Sequence, residues 1–432
     1  MNDTLTKRMI SRIDAYTAVL GVQNPMRYVK SAIWLTLGKA ASMIVSLLAT
    51  FYVVRALGPQ NFGELSYAQS VIGILAILGT IAGTFYRDLV REPENEYHIL
   101  GTAWTASILS SVVVSVLALG YVLFTPHDAL SVWIMGILCV VQFLSPFSII
   151  QNVFYAKTET RWLAISSFLI SLTISVLKLT AILLGKGVLM LAVILVIEQV
   201  LNGIVYIGLY TTIHHKSILL WRFNAGYAKR LVADSFPMMI VAAGGMIAAR
   251  VDQVFIRHYL DVATVGLYGV AVQLSELWQF FPGIILATVF PALVRARNHP
   301  LIYRKRFFSL MAVIVVYGVI VSLIVTIAAP LLIRVIYGAA FTGSIPLLQI
   351  YIWSLTGQVL GFAMTYFLIT ENLRVVQVVS ALPPMLTNVL LNIILIPKYG
   401  ASGAAMATAV SYTLIPITPF LFGSVRAALR EH

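Results

Sequence analysis

The chain contains, from Val188 to Tyr210, the uninterrupted stretch VLMLAVILVIEQVLNGIVYIGLY, in which Glu198 is the single charged residue. At a rise of about 1.5 Å per residue, a helix of this length crosses the roughly 30 Å hydrocarbon core of a bilayer. Water is absent from that layer, so a helix that satisfies its own backbone hydrogen bonds is favoured there. The stretch therefore predicts a transmembrane helix.

The rest of the chain has the same character. Its 432 residues are 60% hydrophobic and 10% charged, whereas soluble domains are roughly 45 to 50% apolar and about 25% charged. The sequence therefore predicts an all-α, polytopic membrane protein with about twelve transmembrane helices. The predicted spans are residues 31–54, 65–86, 100–124, 130–153, 163–184, 188–210, 236–256, 265–294, 307–328, 346–370, 375–396 and 401–422.

The distribution of basic residues predicts the orientation. Of the 29 Lys and Arg residues, 21 lie in the terminal segments and in every second loop, while the intervening loops hold only Arg55, Lys186, Arg257, Arg334 and Lys398. Basic loops stay in the cytoplasm, so both termini are predicted to be cytoplasmic. The net charge of +13 is spread between spans instead of forming one patch. This pattern argues against nucleic acid and favours anionic membrane lipids as partners.

The longest predicted inner loop lies at the midpoint of the twelve spans and suggests two six-helix lobes. Residues 1–30 have helical apolar spacing opposite basic residues, which indicates an amphipathic cytoplasmic helix on the inner leaflet or, alternatively, a disordered basic tail. The predicted organisation is this tail, an N-lobe of residues 31–210, a cytoplasmic inter-lobe linker of residues 211–235, a C-lobe of residues 236–422 and a cytoplasmic tail of residues 423–432.

Six ionisable residues lie inside predicted spans. Such residues cost roughly 2.5 to 3.5 kcal/mol each on insertion scales and therefore normally face a bundle interior or a water-filled cavity. These residues are Lys39, Lys178, Glu198, Arg250, Asp252 and Glu276.

Two of the cations lie in polar stripes in the first half of the chain. Thr36, Lys39 and Ser42 share one face of the first span, and Lys178 ends a serine stripe on the fifth. Gln69 begins a face of small and polar residues on the second span. Hydroxyls with ammonium groups suit phosphate, so these residues are predicted to bind substrate.

The second half combines a cation with carboxylates. Arg250 and Gln253 share a face of the seventh span and extend the predicted substrate site, while Asp252 points away, about 200° around the helix. Desolvated carboxylates hold protons more tightly, so Asp252, Glu276 and Glu198 are candidates for coupling to protons or other ions.

The alternative is that these charges are structural, because buried charges are usually paired. The sequence leaves open pairs of Lys39 or Lys178 with Glu198, and of Arg250 with Asp252 or Glu276.

Motifs of several other functions are absent from the sequence. There is no G-x-x-x-x-G-K-[ST] nucleotide loop and no H-E-x-x-H zinc motif, and the single cysteine, Cys139, lies in an apolar run. The sequence therefore predicts no ATP hydrolysis, no metal site, no cofactor and no catalytic residue. A protein that is not an enzyme is expected.

Several loop segments resemble a known family. Arg55-Ala-Leu-Gly-Pro-Gln-Asn-Phe-Gly63 followed by Tyr67-Ala-Gln-Ser70, with Gly266-Leu-Tyr268, Tyr337-Gly338 and Pro397-Lys-Tyr-Gly-Ala-Ser-Gly-Ala-Ala-Met-Ala-Thr408, is similar to the O-antigen and exopolysaccharide flippases. These are Wzx-type polysaccharide transporters of the MOP superfamily. The resemblance implies a MATE-like fold of two six-helix lobes related by a pseudo-twofold axis, around a cavity that opens alternately to each side.

The resemblance also implies a substrate and a location. The substrate is an undecaprenyl-diphosphate-linked oligosaccharide, moved from the inner to the outer leaflet of the bacterial inner membrane. Cationic cavity residues of such flippases hold the diphosphate, a role that passes here to Lys39, Lys178 and Arg250. Polysaccharide polymerase and chain-length proteins are the implied protein partners, with a proton or sodium ion as the implied coupling ion.

Two competing functions remain open from sequence. A multidrug exporter of the same superfamily would favour a cavity dominated by carboxylates, against which Lys39 and Lys178 argue. A membrane polysaccharide polymerase or glycosyltransferase would need catalytic groups on a sizeable aqueous loop, and the predicted loops are short.

Overall fold

The computed structural model describes residues 25–79, 84–125, 128–296 and 299–431. Most of the predicted amphipathic tail, residues 1–24, lies outside these ranges. Within them the chain has no strand, and the predicted all-α fold is confirmed. The α-helices of the described ranges are α1 (Pro25–Leu75), α2 (Thr84–Arg91), α3 (Glu96–Phe124), α4 (Ala129–Leu144), α5 (Gln151–Ala156), α6 (Thr160–Leu183), α7 (Val188–His214), α8 (Ala225–Tyr259), α9 (Val262–Glu276), α10 (Phe280–Ala296), α11 (Pro300–Ile336), α12 (Ser344–Tyr351), α13 (Ser354–Thr370), α14 (Arg374–Tyr399), α15 (Ala401–Ile417) and α16 (Gly423–Glu431).

These helices account for the predicted spans. Among the described residues, 10 helical stretches are long and apolar enough to cross a membrane. The first of them holds two predicted spans, because α1 folds back at a kink. A further predicted span is divided into α9 and α10 by a 3-10 turn, Leu277–Gln279. The architecture is therefore consistent with about twelve transmembrane helices in two six-helix lobes.

A single glycine reverses the chain inside α1. Gly58 has φ 71° and ψ 172°, a region that a side chain at Cβ disfavours. Pro59 follows and starts the second arm of the helix, because proline fixes φ and needs no donor in a first turn. The first two spans are thus joined by one non-helical residue, where the sequence predicted a loop.

The helices pack in two groups that meet along a central interface. In the first group α1 packs against α4 and α6, and α7 packs against α4 and α6. In the second, α14 packs against α8 and α15, and α13 packs against α11 and α15. The groups meet where α8 and α9 contact α1. The residue boundaries of the lobes stay a prediction.

The predicted inter-lobe linker is largely structured. Helix α7 continues to His214, and α8 begins at Ala225, well before the predicted start of the seventh span at Phe236. Only residues 215–224 separate the two helices, and they include a short 3-10 turn, Ile218–Leu220. We call residues 215–224 the strap.

Candidate functional site

A cavity of about 500 Å³ lies between the two groups of helices. One wall comes from α1, α6 and α7, and the other from α8 and α9. Its polar and charged lining includes Gln69, Lys178, Arg250, Gln253, Gln273 and Glu276. The predicted site residues Gln69, Lys178, Arg250, Gln253 and Glu276 are therefore brought together around one space.

The cavity cations stand near carboxylates without hydrogen bonding to them. Lys178 Nζ is 3.9 Å from Glu198 Oε2, and Arg250 Nη2 is 3.8 Å from Glu276 Oε2. Both separations exceed hydrogen-bond length. Side-chain exposures of 21% for Lys178 and 35% for Arg250 leave donors accessible. The alternative that these charges are paired therefore holds only for two loose ion pairs. Lys178 pairs with Glu198, and Arg250 pairs with Glu276 instead of Asp252.

Lys39 lies on the same helix face as the cavity, nearer the predicted cytoplasmic side. It precedes Thr50, which lines the cavity, by eleven residues, or about three turns and 16 Å along α1. Its side chain and that of Thr36 are exposed. Within the described part of the chain Lys39 forms no ion pair, so it does not neutralise Glu198.

Ser42 belongs to a helix contact instead of the cavity wall. The Ser171 hydroxyl of α6 donates to the Ser42 carbonyl oxygen over 3.0 Å, and Ser46 Oγ lies 2.9 Å from Ser171 Oγ. The predicted polar stripe of the first span thus divides into a packing face and a cavity face. Helical spacing alone does not separate the two, because they lie only about 60° apart.

Asp252 lies inside the second group of helices, on the other side of α8 from Arg250, as the helical spacing predicts. It is fully buried and accepts hydrogen bonds from Asn392 Nδ2 at 2.7 Å and from the hydroxyls of Tyr268 and Thr408. Asn392 Oδ1 is buried and has no hydrogen-bond partner among the described residues. Asp252 is therefore held in a polar pocket of its own, separate from the cavity.

At the end of the molecule that contains Gly58 and the end of α8, backbone contacts join the two groups; we call it the outer end, after the predicted orientation. There the second arm of α1 crosses α9 at Gly63 and Gly266, which pack backbone to backbone. A Cβ at Gly63 would overlap the carbonyl oxygen of Val262, and one at Gly266 would overlap that of Pro59. Each glycine thus contacts the residue four positions before the other, as a twofold axis requires. Small residues permit such close helix contact.

Two arginines repeat this reciprocity at the outer end. Arg55, which follows the first span, donates through Nη1 to the Val335 carbonyl oxygen over 3.1 Å. Arg257, near the end of α8, lies 3.0 Å from Asp128 Oδ2 before α4. Each arginine therefore reaches from its own helix group to the other group. We call the glycine crossing together with the two arginine contacts the outer seal.

Side chains below the crossing also join the two groups. Ser70 of the first group donates to Gln253 Oε1 of the second over 3.0 Å. Within the second group, Tyr337 donates to Gln273 Oε1 over 3.3 Å. Phe51 packs edge to face on Tyr337 with ring centroids 5.5 Å apart. Gln273 was not among the predicted site residues, although it lies one turn before Glu276. The partners of Asp252 were missed because they come from α9, α14 and α15, and only the fold brings them together.

The fold defines a class, the multi-pass membrane proteins built from two six-helix lobes. An inward-facing multidrug resistance MATE family transporter of the MOP superfamily superimposes with a TM-score of 0.73 at 13% identity, over 90% of this chain and 95% of that one. The lipid II flippase MurJ, in an inward closed conformation, gives 0.72 at 15% identity, over 90% and 87%. At these identities the likeness shows the fold alone.

Sequence comparison identifies the family of the chain. The family model described as "Polysaccharide biosynthesis protein" matches residues 28–297, so the chain belongs to that family. The protein named "Putative O-antigen transporter" in Escherichia coli (strain K12) is 22% identical over 341 residues, which are 76% of this chain and 80% of that protein. The predicted resemblance is confirmed.

Proposed function

We propose that the protein is a flippase. It moves an undecaprenyl-diphosphate-linked oligosaccharide, an O-antigen or exopolysaccharide repeat unit, from the inner to the outer leaflet of the bacterial inner membrane. The observation that carries the proposal is the polar, charged cavity between two lobes of a membrane protein in a polysaccharide biosynthesis family. The names of the lipid II flippase and of the Escherichia coli protein support it.

The chemistry of the substrate explains why such a cavity is needed. A glycan with two phosphates would lose its hydration in hydrocarbon at a cost of several kcal/mol for each unpaired polar group. The cavity replaces those contacts with the amides of Gln69, Gln253 and Gln273, which both donate and accept. The lipid tail stays in the bilayer beside the protein. We propose that these amides contact the sugar hydroxyls.

The diphosphate is assigned to the cations. Among the described residues, Lys178 and Arg250 are held only by carboxylates 3.9 and 3.8 Å away, so a phosphate that approaches more closely gains charge-assisted hydrogen bonds without breaking any of these contacts. Lys39 extends the positive face towards the predicted cytoplasmic entrance, beside Thr36. We propose that the diphosphate meets Lys39 first and Lys178 and Arg250 afterwards. Ser42 is not assigned to the diphosphate; we propose that it supports the site by packing α1 against α6.

Movement is proposed to follow alternating access, with the outer end closed in the state described here. Asp252 is the proposed coupling residue, because its buried carboxylate accepts from Asn392 Nδ2 and from the Tyr268 and Thr408 hydroxyls, and buried carboxylates inside a membrane span are typical sites of proton or ion coupling. Glu276 and Glu198 lie beside cavity cations and are proposed to release them when protonated. Consumption of the flipped product by a polymerase with its chain-length proteins is the alternative driving force.

Deletion in the native host tests the proposed function. Complete lipid-linked repeat units are expected to accumulate on the inner leaflet of cells without the protein, and the intact chain is expected to restore export. Accumulation of incomplete units would instead indicate a glycosyltransferase. Normal levels of exported polysaccharide in the deletion strain would contradict the proposal.

One observation favours a second candidate, a cation-coupled multidrug exporter. Glu276 lines the cavity, and Glu198 stands beside its lining residue Lys178, so the cavity is not strongly positive. A drug exporter would raise drug resistance when expressed in a sensitive host and would leave polysaccharide unchanged. The flippase proposal predicts the opposite pair of results.

A further inference from the structure

The strap exposes apolar side chains at the level where a membrane span begins. Leu219 is 89% exposed, Leu220 51% and Phe223 54%. Arg222 of the strap and Lys229, about one turn into α8, are also exposed. Exposed apolar residues grouped with basic ones are the pattern of segments that lie in the headgroup layer.

Backbone contacts fix the depth of the strap. The Arg222 backbone nitrogen donates to the Tyr97 carbonyl oxygen over 3.2 Å, and the Asn224 nitrogen donates to Thr102 Oγ1 over 3.0 Å. A Cβ at Gly101 would come 2.5 Å from the Arg222 nitrogen, so the two backbones touch. Residues 222–224 therefore run beside residues 97–102, where α3 enters the predicted third span.

Side chains hold the strap in this place. Trp221 packs against Trp104, about two turns inside α3, with ring centroids 6.4 Å apart. Lys216 donates to Glu96 Oε2 over 2.9 Å, and the buried Glu96 also accepts from Tyr210. These contacts hold the strap against the first helix group with Leu219 and Phe223 exposed, at the predicted inner boundary of the bilayer.

We propose that the strap is a docking surface for anionic phospholipid headgroups of the inner leaflet. Leu219, Leu220 and Phe223 insert between the headgroups, while Arg222 and Lys229 bind the phosphates. Two observations select a lipid as the occupant: further exposed apolar side chains, Val232 and Phe236 of α8, follow the strap into the predicted seventh span, and the charge of Arg222 and Lys229 is complementary to anionic lipid. The proposal rests on membrane insertion and not on the proposed substrate, so either can fail without the other.

Fluorescence in defined bilayers tests the docking. The full-length protein, with Cys139→Ser, carries one new cysteine at Leu219, Phe223 or the exposed Glu94 of the turn before α3, labelled with an environment-sensitive dye. It is reconstituted in phosphatidylcholine vesicles with or without phosphatidylglycerol. Lipids brominated near the headgroup are expected to quench the dye at 219 and 223 but not at 94. Equal quenching of all three positions by aqueous iodide, with none by brominated lipid, would overturn the proposal and indicate an aqueous surface that a protein partner would have to cover.

Charge selectivity is tested by native mass spectrometry of the same protein. Phosphatidylglycerol is expected to bind in preference to phosphatidylethanolamine. The preference should fall about fivefold for each charge removed in Arg222→Gln and Lys229→Gln. Lys186→Gln, in the loop between α6 and α7 on the predicted opposite side, is the matched control and should change nothing. An unchanged preference in the Arg222→Gln, Lys229→Gln double variant would overturn the assignment of these residues.

Discussion

Adding one methyl group at the glycine crossing should open the outer end of the protein. In Gly63→Ala the new Cβ overlaps the carbonyl oxygen of Val262 and lies 2.9 Å from its carbonyl carbon, and in Gly266→Ala the same holds for Pro59. Carbon atoms pack at about 3.5 to 4 Å, so α1 and α9 must separate by about 1 Å or more. The obstruction is backbone, which has no rotamer to change.

The size of the effect follows from this overlap. Overpacking of a tight contact costs about 1 to 3 kcal/mol. This free-energy cost destabilises the state in which the outer end is closed, and it is absent from the state in which α1 and α9 have separated. The ratio of outward-open to outward-closed molecules should therefore rise about 5- to 150-fold. Gly63→Ala and Gly266→Ala should act alike, because the contact is reciprocal.

Labelling of a cavity cysteine measures the change. In a Cys139→Ser background, Thr50→Cys places a thiol in the cavity wall, and a membrane-impermeant maleimide is added outside intact cells. Either alanine variant should increase the rate of labelling by at least about fivefold. Labelling at the background rate in both variants would refute the view that the crossing closes the outer end.

Two controls separate opening from damage to the fold. Gly120→Ala, in α3, adds a Cβ with no atom within 4 Å and should leave labelling unchanged. Gly357→Ala drives a Cβ to 2.6 Å from the Tyr412 carbonyl carbon inside the second helix group. It should lower stability without increasing labelling. An equal increase in Gly357→Ala would show that the assay reports general loosening.

Three further predictions concern binding, coupling and orientation. Lys178→Ala should weaken binding of the lipid-linked substrate about 10- to 150-fold, the value of a charge-assisted hydrogen bond; Arg at this position should keep part of the export, and Lys186→Ala should match the wild type. Full export by a Lys39→Ala, Lys178→Ala double variant would remove the diphosphate hypothesis. Asp252→Asn keeps the shape of the buried side chain and should abolish dependence on a proton or sodium gradient in proteoliposomes; an unchanged dependence would exclude Asp252. A cysteine at Gln60 should be labelled from outside intact cells, and labelling only after permeabilisation would reverse the orientation.

The sequence was sufficient for the fold class because membrane helices are local structures. Each predicted span depends on its own apolar length, and the helical repeat separated Arg250 from Asp252 correctly. The reversal at Gly58 was not predicted as such, because Gly-Pro is equally typical of a loop. The chain returns to a helix after this single residue because the second arm of α1 packs against α9, and that contact cannot be read from the sequence.

Which charged residues pair could not be predicted from the sequence, for a different reason. Arg250 was left with two candidate partners, and the choice of Glu276 depends on how α8 and α9 pack. The division of the first polar stripe, with Ser42 on Ser171 and Lys39 exposed, likewise depends on where α6 lies. The sequence predicted the strap only as part of a linker. Its contacts with Glu96 and Thr102 could not be predicted, because these residues lie more than 100 positions away in the chain.

Transport by the purified protein tests the central claim most directly. Proteoliposomes would contain the protein and an undecaprenyl-diphosphate-linked oligosaccharide with a fluorescent sugar, and a membrane-impermeant quencher would report the fraction in the outer leaflet. The account predicts exchange between leaflets with the wild type and little with the Lys39→Ala, Lys178→Ala double variant. No exchange with a wild type that restores export in its host, or equal exchange with both proteins, would contradict a passage lined by these cations.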